Sequence, residues 1–158
     1  MLKKIKIFLF LLFIIFEIIF VGYAIDYTNC NNILGAGTNN TISTNIVSNY
    51  SGTYCFTMAN GASLDCQGYS IDGNGTINYI FYPNAADNVT IKNCGGSRAI
   101  NLVYGNGAEG LELYNITGDN LSSRGIYLNG ANGAVMDNVT IEKANTDGIL
   151  ITSGENIS

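Results

Sequence analysis

The sequence predicts an all-β protein built as a parallel β-solenoid, in which short strands stack coil upon coil. A short pattern returns along the chain every 22–27 residues, and its copies start at Ala59, Ala86, Ala108, Ala131 and Gly154. Within each copy apolar and polar residues alternate with a period of two, which is the pattern of a strand. The 19 Gly residues, the many Asn and Thr residues and the single Pro favour strands and turns over helices.

Each repeat contains two alternating runs, with a third short apolar piece between them at residues 116–117 and 139–141, so two or three strands per repeat are predicted. The first run covers residues 89–93 and 111–115, and the second covers 99–102, 125–128 and 148–151. A single coil cannot bury its apolar side chains, so the coils must stack, with paired strands about 4.8 Å apart. The five copies of the pattern predict about five coils. A leucine-rich repeat has a similar period, but it places Asn three residues after the last strand leucine. Here Asn follows after two residues, which favours the β-solenoid.

The first 24 residues are predicted to be a signal peptide. Lys3, Lys4 and Lys6 form a basic start, an apolar run follows, and small residues precede a cleavage point after Ala24. The alternative is an uncleaved N-terminal anchor, because the apolar run is just long enough to span a bilayer. Either interpretation predicts a secreted or cell-surface protein.

The two ends of the predicted stack differ. Residues 25–58 precede the regular repeat and are predicted to cover the N-terminal end with short irregular strands, because an open end exposes strand edges. Residues 59–158 form the coils. The pattern stops inside a strand at residues 156–158, without a capping segment. This predicts either that the solenoid continues in a longer protein or that chains associate end to end.

The composition excludes several functions. The chain has no His, which removes the commonest general base and metal ligand, and with it any Ser-His-Asp or Cys-His mechanism within this chain. After residue 24 there are four basic and eleven acidic residues, a net charge of −7. A nucleic-acid partner is therefore not expected, because phosphate binding needs a basic surface.

Residues 88–93 read Asn-Val-Thr-Ile-Lys-Asn, and the later Gly-Ile-Tyr-Leu at 125–128 belongs to the same type of repeat. This pattern resembles the right-handed parallel β-helix repeats of the pectate-lyase-like superfamily. Residues 62–73 resemble the N-terminal rung of secreted archaeal and bacterial β-helix surface proteins. The resemblance covers residues 55–158 and implies a right-handed coil. It implies no single activity, since the superfamily includes pectin lyases, polygalacturonases, tailspikes and adhesins.

The segment Asn-Thr-Asp-Gly at 145–148 resembles the polygalacturonase segment whose Asp acts in acid–base catalysis, which makes Asp147 a candidate catalytic residue. Inverting glycosidases need a second carboxyl group with room for a water molecule. The other motifs of that family, Asp-Asp, Gly-His-Gly and Arg-Ile-Lys, are absent here. A turn is therefore the favoured interpretation, with Asp147 in register with Arg124 and Arg98 and an ion pair between Arg124 and Asp147.

Asp119 and Glu142 occupy equivalent places in successive coils. Two carboxylates one rung apart repel each other or invite a cation. Oxygen ligands suit Ca²⁺, and the resemblance to pectate lyases implies the same ion. The alternative is a solvated face that Lys143 and Arg124 neutralise.

Outward aromatic residues predict a glycan-binding face. By alternation Tyr114 and Tyr127 face solvent, and Asp137 follows Tyr114 in the same column one coil later. Tyr79 and Tyr82 lie on a further strand. Flat rings combined with amide and carboxylate groups are typical of sugar-binding surfaces.

Asn93, Asn115 and Asn138 recur at the end of the first run of each repeat. By alternation they are predicted to point inward and to form hydrogen bonds with one another along the stack.

Four cysteines, Cys30, Cys55, Cys66 and Cys94, are predicted to form disulfides, since their number is even and no Cys-x-x-Cys pair suggests a metal. Three connectivities are possible. Cys30–Cys55 with Cys66–Cys94 is favoured, because it would attach the N-terminal cover to the first coils.

Together these observations predict a secreted or cell-surface scaffold or adhesion protein that binds glycans, with no evident catalysis and no cofactor other than the Ca²⁺ considered above. The alternative is the N-terminal fragment of a polysaccharide lyase or glycoside hydrolase, with its active site in further coils.

Overall fold

The computed structural model describes residues 25–158, and this part of the chain is a parallel β-solenoid of about five coils. The predicted signal peptide or anchor lies outside the described residues. No helix long and apolar enough to cross a membrane occurs within 25–158. The strands are β1 (Ile25–Tyr27), β2 (Asn32–Leu34), β3 (Asn39–Ile42), β4 (Ile46–Val47), β5 (Gly52–Met58), β6 (Ser63–Asp65), β7 (Ser70–Tyr82), β8 (Thr90–Asn106), β9 (Glu112–Asp119), β10 (Ile126–Asn129), β11 (Val135–Ile141) and β12 (Ile149–Ser153).

The strands form three parallel ladders, and the long strand β8 passes through all of them. Its first part pairs with β6 and β9 and belongs to the first side of the solenoid. Its middle pairs with β7 and β9 on the second side. Its last part pairs with β7 and β10 on the third side. Each coil therefore contributes one short segment to each side, as the predicted two or three strands per repeat require.

The core lies between the three sides. Leu64, Ile91 and Leu113 are register partners on successive coils, and all three are fully buried. Apolar columns of this kind supply most of the stabilising free energy, at roughly 25 cal/mol per Å² of buried apolar surface. Gly96 also faces inward, and a Cβ there would lie 2.2 Å from Leu102 Cδ1. Glycine at this position leaves room for the large side chains of the core.

Asn93, Asn115 and Asn138 form a hydrogen-bonded column, but this column faces outward rather than inward as predicted. Asn138 Nδ2 donates to Asn115 Oδ1 over 2.8 Å, and Asn115 Nδ2 donates to Asn93 Oδ1 over 2.9 Å. The backbone φ values are 55°, 53° and 52°, in the left-handed region. A left-handed residue interrupts the strand alternation and turns its side chain to the surface. This left-handed conformation is unfavourable for residues other than Gly, and its cost is lower for Asn than for most other residues.

The predicted disulfides Cys30–Cys55 and Cys66–Cys94 are both confirmed, with Cα–Cα distances of 4.3 and 4.9 Å. Each joins adjacent coils near the N-terminal end. The predicted cover 25–58 contains five short strands, and β3, β4 and β5 pair in register with the following coil. At the other end Ile149 and Ile151 are exposed, and the predicted continuation or end-to-end association stays a prediction.

Substitution of Asn115 separates the two roles of the asparagine column. Asn115→Ala removes two hydrogen bonds and places a Cβ without local hydrogen bonding in the left-handed region, so we expect the free energy of unfolding to fall by about 2 kcal/mol. Asn115→Gly also removes the hydrogen bonds, but Gly tolerates the backbone conformation. The free energy of unfolding should therefore fall by less than in the Ala variant. Urea unfolding followed by circular dichroism measures both. Equal stability of wild type and the Ala variant would contradict this account.

Candidate functional site

The second side of the solenoid carries a shallow groove parallel to the solenoid axis. Two adjoining depressions share Ser70, Gly95 and Thr117 and enclose about 290 and 330 Å³. Together they cross four successive coils, from Ser70 in β7 to Thr140 in β11. We call this surface the axial groove. Neighbouring coils are about 4.8 Å apart, so the groove spans about 14 Å from the first coil to the last.

Small residues in one column create the groove. Ser70, Gly95, Thr117 and Thr140 are register partners, and their side chains are small and polar or absent. A Cβ at position 95 would lie 3.1 Å from Ser70 Cβ and 3.3 Å from Thr117 Oγ1. Each of Thr117 and Thr140 follows a left-handed Asn by two residues, with one buried or half-buried residue between them. The corner geometry therefore places the hydroxyl groups on the outer surface.

Hydrogen-bonding groups form the walls of the axial groove. One wall contains the outward amides of Asn93 and Asn115. The opposite wall contains Ser97, Asp119 and Glu142, which occupy one column on successive coils. The groove thus offers hydroxyl, amide and carboxylate groups in fixed rows, a lining suited to a ligand with many hydroxyl groups.

The structure places Asp119 and Glu142 one coil apart on the groove wall, as the repeat predicts. Lys143 Nζ lies 3.1 Å from Asp119 Oδ1, and no cation lies within 4 Å of Glu142 among residues 25–158. Both members of the Lys143–Asp119 pair are exposed, so the pair contributes only about 0–1 kcal/mol to stability. No cluster of three or more potential metal ligands occurs in the described range. The Ca²⁺ site at these two residues stays a prediction.

Asp147 lies on the third side, outside the axial groove. Its Oδ2 accepts a hydrogen bond from Arg124 Nε over 3.0 Å, which confirms the predicted ion pair. The prediction that Arg98 shares this column is wrong, because Arg98 instead pairs with Asp72 in the preceding coil. The cause is the length of the repeat. The pairing of β10 with β8 joins residues 23 apart, so Asn101 lies beside Arg124, whereas Arg98 is 26 residues before it.

The candidate binding residues Tyr114, Asp137 and Tyr127 do not meet at one site. Tyr114 and Asp137 follow Lys92 in a column on the first side, and Tyr114 is half-buried. Tyr127 lies on the third side, where its ring is 5.2 Å from the ring of Tyr104. Tyr104 was missed in the sequence, since only the register of β8 against β10 aligns it with Tyr127.

Ion pairs between coils use every basic side chain in the described range. Lys92 pairs with Asp65, Arg98 with Asp72, Arg124 with Asp147 and Lys143 with Asp119. Seven carboxylates in residues 25–158 have no basic partner. The surface of residues 25–158 is therefore acidic and offers no unpaired cation to an anionic ligand.

Two carboxyl groups in these pairs have lowered pKa values. Hydrogen bonds from the Arg98 guanidinium hold the pKa of Asp72 below its usual value, although partial burial opposes the shift. Burial also opposes ionisation of Asp65, but hydrogen bonds from Asn93 and from the backbone of Gln67 outweigh it and lower the pKa. Both carboxylates therefore stabilise the folded state when ionised.

No protein-family model matches this sequence, and no curated protein sequence matches it either. Two solved structures share its fold. The catalytic domain of a GH87 alpha-1,3-glucanase in complex with nigerose matches with a TM-score of 0.65 and 19% identity over 81% of this chain. A variant of such a domain in complex with tetrasaccharides matches with a TM-score of 0.58 and 17% identity over 79% of this chain. The present chain covers about a quarter of those chains, 26% and 24% respectively.

Acid should destabilise the protein through Asp65 and Asp72. Because their folded-state pKa values are lowered, the unfolded chain takes up protons first as pH falls below about 3.8. The contribution is complete above that pH and is lost as pH falls through the folded values. Arg98→Gln should make the loss of stability with falling pH less steep, because it removes the hydrogen bonds that lower the pKa of Asp72.

Thermal unfolding between pH 6 and pH 2 measures this dependence. Lys143→Gln is the matched control, since it removes a more exposed ion pair and should leave the acid profile nearly unchanged. An Arg98→Gln profile identical to that of the wild type would contradict the role of the Arg98–Asp72 pair.

Proposed function

We propose that this chain is a polysaccharide-binding solenoid of a secreted or cell-surface protein, and that a glycan chain binds along the axial groove. The observation that carries the proposal is the groove itself, a straight depression across four coils that is lined by hydroxyl and amide groups. A linear polysaccharide repeats the same polar groups at regular intervals, so it matches a surface that repeats every coil. The two disulfides fit an oxidising compartment outside the cytosol.

Similar folds support a carbohydrate ligand. The two similar structures are glucanase catalytic domains in complex with saccharides. Fold similarity alone does not determine function, so the proposal depends on the groove lining. The binding free energy would come from many hydrogen bonds along the groove, each contributing about 0.5–1.5 kcal/mol.

Filling the groove tests the proposal. Thr117 is exposed in the middle of the groove, so Thr117→Tyr should block the glycan and lower its affinity about tenfold or more, while folding is retained. Affinity gel electrophoresis against a panel of polysaccharides measures the change. Ala36→Tyr adds the same bulk at an exposed turn outside the groove and serves as the control. Equal binding of the two variants would exclude the groove as the site.

The second candidate function is hydrolysis of a glycosidic bond by Asp119 and Glu142. Glycosidases use two carboxyl groups roughly 5–9.5 Å apart, and neighbouring coils separated by about 4.8 Å bring this pair near that range. One carboxyl group of the pair would donate a proton to the leaving group, and the other would act as the base or nucleophile. Asp119 contacts Lys143, and Glu142 has no basic partner in the described range. The catalytic domains of similar fold support this candidate.

Glu142→Gln and Asp119→Asn should each lower the hydrolysis rate about 100-fold or more if this pair is catalytic. Soluble α-1,3-glucan oligosaccharides provide the first substrate, and release of reducing ends is the measurement. Asp137→Asn changes a carboxylate outside the groove and should have no effect. Loss of activity in Asp147→Asn, with activity retained in Glu142→Gln and Asp119→Asn, would show that the catalytic residue lies on the third side. Absence of hydrolysis with every tested glycan would leave the binding proposal intact and reject the enzyme.

A further inference from the structure

Five tyrosines form one continuous cluster on the third side of the solenoid, away from the axial groove. Tyr82 stacks on Tyr54 with ring centroids 5.8 Å apart and on Tyr79 with centroids 5.2 Å apart. Tyr79 stacks on Tyr104 at 4.5 Å, and Tyr104 meets Tyr127 edge to face at 5.2 Å. The cluster extends over four coils, and each of these coils contributes at least one ring. We call this surface, with the amide column described next, the tyrosine face.

A column of amide groups runs beside the tyrosine rings. Asn106 and Asn129 lie two residues after Tyr104 and Tyr127, so they share the outward direction of those rings. Asn129 Nδ2 donates to Asn106 Oδ1 over 2.7 Å, and Thr152 Oγ1 donates to Asn129 Oδ1 over 2.9 Å. These hydrogen bonds fix the amides in position. The rest of each amide's hydrogen-bonding capacity is available to a ligand.

The tyrosines of the cluster are partly buried. Burial raises the pKa of the Tyr79 hydroxyl, and the neighbouring Tyr104 and Tyr82 raise it further. All five tyrosines are only half-buried. Their hydroxyl groups can therefore donate and accept hydrogen bonds at the surface, while the rings support one another by stacking.

The charged groups of the tyrosine face neutralise each other. Arg124 lies with its guanidinium carbon 5.0 Å from the centroid of the Tyr127 ring and also pairs with Asp147. The surface of residues 25–158 as a whole is acidic, because seven of its carboxylates have no basic partner. An anionic glycan would meet repulsion and find no unpaired basic residue in the described part of the chain.

We propose that the tyrosine face is a second saccharide-binding surface and that it binds a neutral polysaccharide chain aligned with the solenoid axis. The rings and amides supply rows of hydroxyl and amide groups without net charge, which complement a neutral ligand rich in hydroxyl groups. Stacking and inter-coil hydrogen bonds hold these groups rigid before binding, so little side-chain freedom is lost. The surface lies on a different side of the solenoid from the axial groove and does not depend on it.

Removing hydroxyl groups while keeping the rings tests this surface. The double variant Tyr104→Phe/Tyr127→Phe preserves the stacking, so folding should be unchanged by circular dichroism. Each lost hydrogen bond should weaken binding about two- to tenfold. The matched control is Tyr27→Phe, which removes a hydroxyl from a half-buried tyrosine in β1 on the first side. Affinity gel electrophoresis compares the neutral probes dextran, laminarin, galactomannan and α-1,3-glucan with the anionic probes polygalacturonate and alginate.

Each outcome decides the proposal. Retention by a neutral polysaccharide that falls in the double variant, and not in Tyr27→Phe, supports it. Retention that is lost only in Thr117→Tyr places all binding in the axial groove and overturns this inference without affecting the proposed function. Tyrosine-dependent retention by the anionic probes overturns the charge argument. Failure of every neutral probe to bind overturns the inference itself.

Discussion

The left-handed corners are the constraint on which this solenoid depends, because every coil must turn directly above the turn of the coil below. One corner column consists wholly of residues with positive φ: Gly37, Gly61, Asn88, Gly110, Gly133 and Asn156. Glycine and asparagine tolerate this conformation at the lowest cost. The recurring glycines and asparagines of the sequence are therefore a requirement of the backbone. They do not by themselves indicate a ligand.

The same constraint determines which side chains reach the surface. After a left-handed Asn, the next residue points inward and the one after it outward, as Ile116 and Thr117 follow Asn115. The repeated Asn-x-Thr pattern thus produces a buried apolar column and an exposed hydroxyl column at once. The exposed column becomes the floor of the axial groove. A requirement of the fold has in this way created the polar surface to which we assign glycan binding.

The coils, the disulfides and the Arg124–Asp147 pair could be predicted, because the repeat period and the positions of the cysteines can be read directly from the sequence. It did not predict that Asn115 faces outward, since strict alternation ignores the left-handed backbone that reverses it. It also misplaced Arg98, which lies 26 residues before Arg124, because only the observed pairing of β8 with β10 shows that Asn101, 23 residues before Arg124, lies beside it. The tyrosine cluster was only partly recognised. Its rings come from four strands, β5, β7, β8 and β10, and meet only through the observed register.

Variation between coils separates structural columns from candidate functional ones. Asn93, Asn115 and Asn138 keep one identity on successive coils, as expected of residues that stabilise the stack. The groove wall instead changes from Ser97 to Asp119 to Glu142, although the backbone at these positions is equivalent. Stacking alone does not require a carboxylate there, and two adjacent carboxylates repel each other. The wall is therefore where a specific chemical role, binding or hydrolytic, would be located, while the constant columns hold it in place.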